Sequence, residues 1–354
     1  MNRTPEKGRR ETPVRLEKGL ILNALRILKE TTGTAARIVK MEPALPEGRP
    51  DALLELGNGP KRVQYVVEIK RTLPTAALGH AVAQVQRFKK PGMLITNYVT
   101  PPMAERLKEL NIAFIDLAGN AFINTPRFFV YVTGRKPPET ERIAKPAKVF
   151  RPTGLQVLFA LLCQPELIDG PYRDIAKAAG VALGTVGWVM YDLKHLGFLV
   201  ERGKHGRKLI NKQKLLNTWV TAYAQTLRPK LHLGRFRAPD HDWWKKVEWR
   251  KTNAYLGGEP AAAKLTGYLK PERTAVYVTG EVNKFLLKNR LTKDATGNVE
   301  VRKAFWDFDY RWKYPGLVPP LLIYADLLAT ADARNIETGK IIYEHYLARL
   351  IEQD

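Results

Sequence analysis

The sequence predicts a multidomain chain of α/β followed by α class, in which a mixed sheet with helices precedes a helical segment closed by one hairpin and then an α+β region. Three observations carry this. Alternating apolar runs interleave with amphipathic helical stretches over the first 135 residues, helix-spaced apolar positions run from Tyr172 to Leu193, and Pro-rich breaks fall at Arg135–Lys148 and Arg235–Asp240. The expected domains span 14–135, 151–214 and 241–354 of the 354 residues. The first reads as a helix (Val14–Lys29), strands at Ala35–Met41, Asp51–Leu56 and Arg62–Lys70, a helix (Thr75–Phe88) and a strand (Met93–Thr96). A helix (Pro102–Leu110), a strand (Ala113–Asp116) and short strands at Ala121–Ile123 and Phe128–Thr133 complete a mixed sheet covered by helices.

In the middle part Thr153 is the expected N-cap of a helix carrying the apolar run Leu155–Cys163. Pro171 stands just inside a second helix, whose Tyr172, Ile175, Ala176 and Ala179 fall at i, i+3, i+4 and i+7 before Gly180 ends it. A third helix places Val186, Val189, Met190 and Leu193 in one arc and leaves Gly184, Thr185, Trp188, Tyr191, Lys194 and His195 on the open side. Phe198–Ile210 then reads as two strands around a glycine-containing turn, with Arg202, Lys204, Arg207 and Lys208 near its tip. Three helices followed by a basic hairpin are the arrangement of a winged helix-turn-helix, which lays its last helix in the DNA major groove. The same residues fit a plainer role, with Trp188 and Tyr191 packed on another domain and the tip a solvated loop.

Charge favours the first of these. Lys and Arg number 58 against 35 Asp and Glu, a net charge of +23 suited to a polyanion. It is concentrated early: residues 1–150 carry 26 basic and 14 acidic side chains, and 151–230 carry 12 and 5. Double-stranded DNA is the expected partner. No apolar run is long enough for a membrane span and no apolar stretch follows the basic N-terminus, so no membrane role and a cytoplasmic location are expected. The single cysteine, Cys163, has apolar neighbours and reads as a core residue.

Within the first part, alternation along Val63–Lys70 puts Glu68 and Lys70 on one face, and Asp51 opens the preceding strand after Pro50. Two carboxylates, Asp51 and Glu68, suit Mg²⁺, which can activate a water for attack on phosphate, with Lys70 stabilising the charge that develops. As a string the pattern is common; Asp192-Leu193-Lys194 repeats it on the third helix of the middle part. The context is more specific: a helix, three strands, a helix carrying Gln84 and Gln86, and another strand. This resembles the PD-(D/E)xK restriction-endonuclease-like fold, matched at Pro50-Asp51 and Glu68-Ile69-Lys70. The resemblance implies catalytic roles for Asp51, Glu68 and Lys70 and leaves Glu17 or Glu30 as an assisting acid on the first helix. A DNA-clamping or docking module without catalysis is the other reading of the same fold.

The third part holds no Gly-rich phosphate loop, metal-spaced His or Cys cluster, or nucleophile elbow. His241 and Asp242 beside Trp243 and Trp244 read as a surface patch, and Trp306 and Trp312 as core or rim aromatics. The segments RPDALLEL, VVEIK, LAGNAFI, VTGRKPPET, YLGGEPAAAKLTGYL and LLIYADLLATADARNIETGKIIYEHYL together resemble the AbiEi-type antitoxins of type IV toxin–antitoxin systems. That resemblance implies a bacterial transcriptional autorepressor whose last domain counters a nucleotidyltransferase-type toxin encoded nearby. It departs from shorter members, which begin with the winged helix. A Mg²⁺-dependent DNA endonuclease directed by the winged helix is the alternative function.

Overall fold

Leu20, Ile21, Ala24, Leu25 and Leu28 recur on one face of the first helix, α1 (Pro13–Thr32), and are buried against a sheet. The computed structural model describes residues 13–57, 62–126, 128–137, 147–203, 206–310 and 312–351. They divide into two compact units, the described residues of Met1–Thr75 with Ala81–Ile143, and of Ala76–His80 with Ala144–Asp354.

In the first unit seven strands lie in chain order: β1 (Ala36–Met41), β2 (Ala52–Leu56), β3 (Val63–Lys70), β4 (Gly92–Thr96), β5 (Ala113–Asp116), β6 (Ala121–Asn124) and β7 (Phe129–Val132). Helix α2 (Leu78–Gln86) precedes β4 and α3 (Pro101–Glu109) precedes β5. Strands β3, β4 and β5 are parallel, and the remaining neighbours are antiparallel. The parallel centre is buried on both faces, as such strands require. Leu54, Val67, Ile95 and Ile115 meet α1, while Val66, Leu94 and Phe114 are buried on the other face. The edge strands differ in character: β1 carries Arg37, Lys40 and a register shift between Ile38 and Lys40, whereas β7 is short and leaves Phe129 exposed.

The second unit opens with α4 (Pro152–Cys163), buried along nearly its whole length, Cys163 included. Its N-cap is Arg151, so Thr153 lies inside the first turn and does not cap it; Pro152 at the first position sets the start one residue earlier. α5 (Tyr172–Ala179), α6 (Leu183–His195) and the hairpin β8 (Leu199–Glu201) and β9 (Arg207–Leu209) follow, with Pro171 as the N-cap of α5 and not within it. α7 (Lys212–Ala222) continues through a π-helical turn, Tyr223–Leu227, into the short α8 (Arg228–Leu231).

A five-stranded sheet completes the unit in the order β11 (Ala254–Gly257), β12 (Thr274–Val278), β14 (Val299–Lys303), β10 (His232–Arg237), β13 (Thr292–Lys293). It therefore begins at His232 and not near 241, and Arg235–Arg237, expected in a break, is strand. Around it lie α9 (Gly258–Thr266), α10 (Val282–Lys288), α11 (Pro320–Leu328), α12 (Ala333–Ile342) and α13 (Ala348–Ile351). α12 starts at Ala333 because the Asp332 carboxylate accepts from Arg334 and Asn335 N–H at 2.9 and 3.2 Å. Trp243 and Trp244 are buried, which corrects the surface patch expected there: Trp243 packs near Trp249 and Phe285.

Helices and sheet of this unit share one aromatic core. Phe159 of α4 stacks on Trp219 at 5.5 Å and meets Phe305 at 4.9 Å and Trp306 at 5.6 Å between ring centroids. The Trp219 indole N–H donates to the Leu155 carbonyl at 2.8 Å. A fragment cut to 151–214 would expose Phe159 to water, so the segment does not carry a closed core of its own.

Beside this core sits a buried polar network. Arg302 donates to Asp326 at 2.6 Å and to the Tyr277 hydroxyl at 2.7 Å, and both Tyr223 and Tyr277 donate to Asp326. Glu300 receives Arg302 at 2.7 Å and Arg228 at 3.1 Å, with His232 at 3.2 Å. Burial alone would raise the Glu300 pKa, but Arg302 and Arg228 outweigh it and hold it at about 2, against an ordinary 4.5. A depressed folded pKa gives stability that is complete above the unfolded value and is lost as pH falls toward the folded one. Urea unfolding should therefore show this unit weakening between about pH 4.5 and 2, and Glu300→Gln should flatten that stretch. An unchanged pH profile in Glu300→Gln would count against the linkage.

Candidate nucleic-acid interface and carboxylate cluster

Gly180 closes α5 in the left-handed conformation, φ 64°, where a side chain would strain the backbone. The chain turns at once into α6, whose Val186, Val189, Met190 and Leu193 are buried as their spacing requires. On the other side Thr185 and Trp188 are half-buried and Tyr191 is 62% exposed. The Tyr191 ring lies over that of His195 with centroids 3.8 Å apart, and His195 Nδ1 is 2.9 Å from the Tyr191 carbonyl. Leu183, at the start of the helix, is also exposed. Lys194 donates to Glu201 of β8 at 2.7 Å; as a solvent-facing pair this contributes little and leaves the lysine available to a stronger anion.

The hairpin pairs Leu199 with Leu209, Val200 with Lys208 and Glu201 with Arg207. Leu199 and Leu209 are buried, which fixes its base, and Arg202 N–H donates to the Gly206 carbonyl at 2.7 Å near its tip. Gly206 has φ 77°, and a Cβ there would fall 2.3 Å from Asp169 Oδ1, so only glycine fits. The approach is used: Arg207 N–H donates to Asp169 at 2.5 Å, Arg207 Nη2 donates to the Gly170 carbonyl at 2.7 Å, and the guanidinium lies 5.1 Å from the Tyr172 ring centre. Arg207 thus anchors the hairpin, a role its sequence context did not reveal. Arg202 is exposed and Lys208 half-buried; Lys204 lies outside the described residues.

In the first unit the antiparallel register sets Ala52 opposite Val67, so one further step brings Asp51 beside Glu68. Asp51 Oδ2 accepts the Ile69 N–H at 2.7 Å, and Lys70 Nζ donates to Glu68 Oε2 at 3.2 Å. Asp51, Glu68 and Lys70 are therefore one cluster. Burial pushes the Glu68 carboxyl up, and the Asp51 charge adds to this against Lys70 and Arg87. Burial disfavours the Lys70 charge, yet Glu68, Asp51 and Glu17 outweigh it and raise its pKa. Of the two candidate acids on α1, Glu17 acts on Lys70, whereas Glu30 is taken by Arg26 at 2.7 Å on an exposed face. Arg87 was missed by sequence reasoning; its position three residues after Gln84, one helical turn on, was the available signal.

A divalent cation would find two hard donors here, Asp51 and Glu68, and no group of three or more His, Cys, Asp or Glu side chains poised for a metal exists among the described residues. Mg²⁺ is commonly held by one or two carboxylates with water and phosphate completing its shell, so the residues fit that ion in the company of a phosphate. Asp192-Leu193-Lys194 has no such surroundings: Leu193 is buried in the α6 core and Lys194 points to Glu201.

No helix among the described residues is long and apolar enough to cross a membrane. Residues 208–348 match the family model described as transcriptional regulator, AbiEi antitoxin, type IV toxin–antitoxin system. This stretch runs from β9 through the five-stranded sheet to the helices that follow it. No significant match is found among curated proteins or among solved structures.

Proposed function

We propose, from the regulator and antitoxin domain at 208–348, that the protein binds double-stranded DNA through α5, α6 and the β8–β9 hairpin, represses its own promoter, and counters a nucleotidyltransferase-type toxin encoded nearby. The observation that carries the DNA reading is the open face of α6, with Tyr191 exposed beside the cationic hairpin in a chain of net charge +23. In this reading α5–α6 is a helix-turn-helix and the hairpin its wing, so Thr185, Trp188 and Tyr191 meet base edges while Lys194, Arg202, Lys204 and Lys208 meet phosphates. Arg207 contributes by holding the wing in place as well as by its charge. Fluorescence anisotropy with the duplex upstream of the gene tests it: binding should fall steeply with salt and exceed that to a scrambled duplex. Equal affinity for both duplexes would leave a non-specific binder and remove the repressor role.

A second reading rests on the Asp51, Glu68 and Lys70 cluster, with Glu17 near it. A Mg²⁺ ion held by Asp51 and Glu68 would lower the pKa of a bound water. Lys70 would place its charge against the scissile phosphate, and Arg87 would offset the Glu68 charge as DNA approaches. Glu68→Ala, Asp51→Ala and Lys70→Ala should then each abolish Mg²⁺- or Mn²⁺-dependent cutting of plasmid DNA. If no divalent ion supports cutting and Glu68→Ala binds DNA slightly better, the unit is a docking module instead.

A further inference from the structure

A cavity of about 230 Å³ opens where the hairpin meets the C-terminal helices of the second unit. Its floor is apolar and is drawn from separate elements: Ile168 before α5, Leu209 of β9, Leu216 of α7, Leu321 of α11, Leu347 and Ile351. Its rim is cationic, with Arg202, Arg207, Lys208 and Lys212 against the single carboxylate of Asp169 among the described lining residues. An apolar cavity of about 150 Å³ already admits benzene, so this one has room for a longer hydrocarbon body. A carboxylate cannot descend into such a floor without losing its hydration, but it can stay at a mouth lined by guanidinium and ammonium groups.

We propose that this cavity binds a small organic anion with an apolar body, of the class of a medium-chain alkyl carboxylate, and that its occupancy weakens DNA binding by the hairpin. The second half rests on the DNA-binding reading above; the first does not. The alkyl chain lies among Leu216, Leu321 and Leu347, and the carboxylate sits by Arg202 and Lys208. Those two charges are then offset before any phosphate reaches them. The new anion also competes with Asp169, which holds the hairpin through the Arg207 N–H.

Titration calorimetry on the full chain with sodium decanoate, kept below its aggregation threshold, tests binding without DNA. Octanoate to decanoate should tighten it by up to about fourfold per methylene, and decanol should bind at least roughly tenfold more weakly for want of the charge. Leu347→Trp, which fills the floor, should abolish the heat, and Leu216→Ala, which enlarges it, should shift the preferred chain length upward. Circular dichroism on both variants separates loss of the site from loss of the fold. No heat with any chain length, or equal heat in a folded Leu347→Trp, overturns the site. Saturating decanoate should then lower duplex affinity at least roughly threefold in the parent and leave folded Leu347→Trp unaffected. Decanoate binding with unchanged duplex affinity would overturn the coupling alone, and absence of duplex binding even without decanoate would instead reject the DNA reading.

Discussion

Replacing Arg202, Lys204 and Lys208 together by alanine should reduce affinity for duplex DNA by roughly 100-fold at low salt, since each exposed cation–phosphate pair contributes up to about 1 kcal/mol. The loss should be nearly the same on every sequence, because phosphate contacts orient a protein without reading bases. It should also flatten the dependence of log K on log salt by about 0.9 for each phosphate left unneutralised. Arg207 is set apart from this group. Its guanidinium holds the Gly170 carbonyl and lies against the Tyr172 ring, so Arg207→Ala, which keeps the backbone N–H to Asp169, should loosen the hairpin as well as remove a charge, and should lower the thermal midpoint where the triple variant does not. Trp188→Ala and Thr185→Ala should instead narrow the gap between cognate and scrambled duplex, since they stand on the open face of α6. A triple variant with parental affinity and parental salt slope would show that the hairpin does not touch DNA.

The second large effect is on stability. Arg302 and Asp326 are almost wholly buried and 2.6 Å apart, so Arg302→Met leaves a carboxylate in the interior with only the two tyrosine hydroxyls and Arg228 for company. Breaking one side of such a pair costs about 3–5 kcal/mol. In a unit of this size that lowers the melting temperature by on the order of 10 °C, measurable by calorimetry. Arg302→Met with Asp326→Leu should recover much of the loss, because the desolvation of both charges disappears along with their attraction. A single variant within about 1 kcal/mol of the parent would mean that water reaches the pair.

The strands and helices of the first unit were legible to within about three residues because each alternates or recurs at its own period, as the buried faces of β2 and α1 show. The carboxylate cluster was legible for the same reason, since register follows from alternation once β2 and β3 pair. What failed were facts settled by distant residues. Trp243 and Trp244 looked like a patch beside His241, but Phe285, far along the chain, draws Trp243 inside. Arg235–Asp240 looked like a break, yet His232–Arg237 is held by β14, whose Val299 and Val301 no local pattern links to it. The anchoring by Arg207 depends on Asp169, thirty-eight residues away, and Gly206 was legible only as a turn and not as a point of close approach.

Among the described residues the seven-stranded sheet ends in two edge strands, β1 and β7, and these bear on how the protein behaves when crowded. Unpaired N–H and C=O groups along an edge invite a second chain to dock, and cations or irregular register discourage it. β1 has both protections in Arg37, Lys40 and its bulge, so growth of a fibril from that side meets repulsion and a mismatched ladder. Among the described residues β7 has only its brevity, and it presents Phe129 to solvent. Clouding of concentrated stocks would therefore begin at β7, the margin where self-templating finds an open ladder and an exposed ring together.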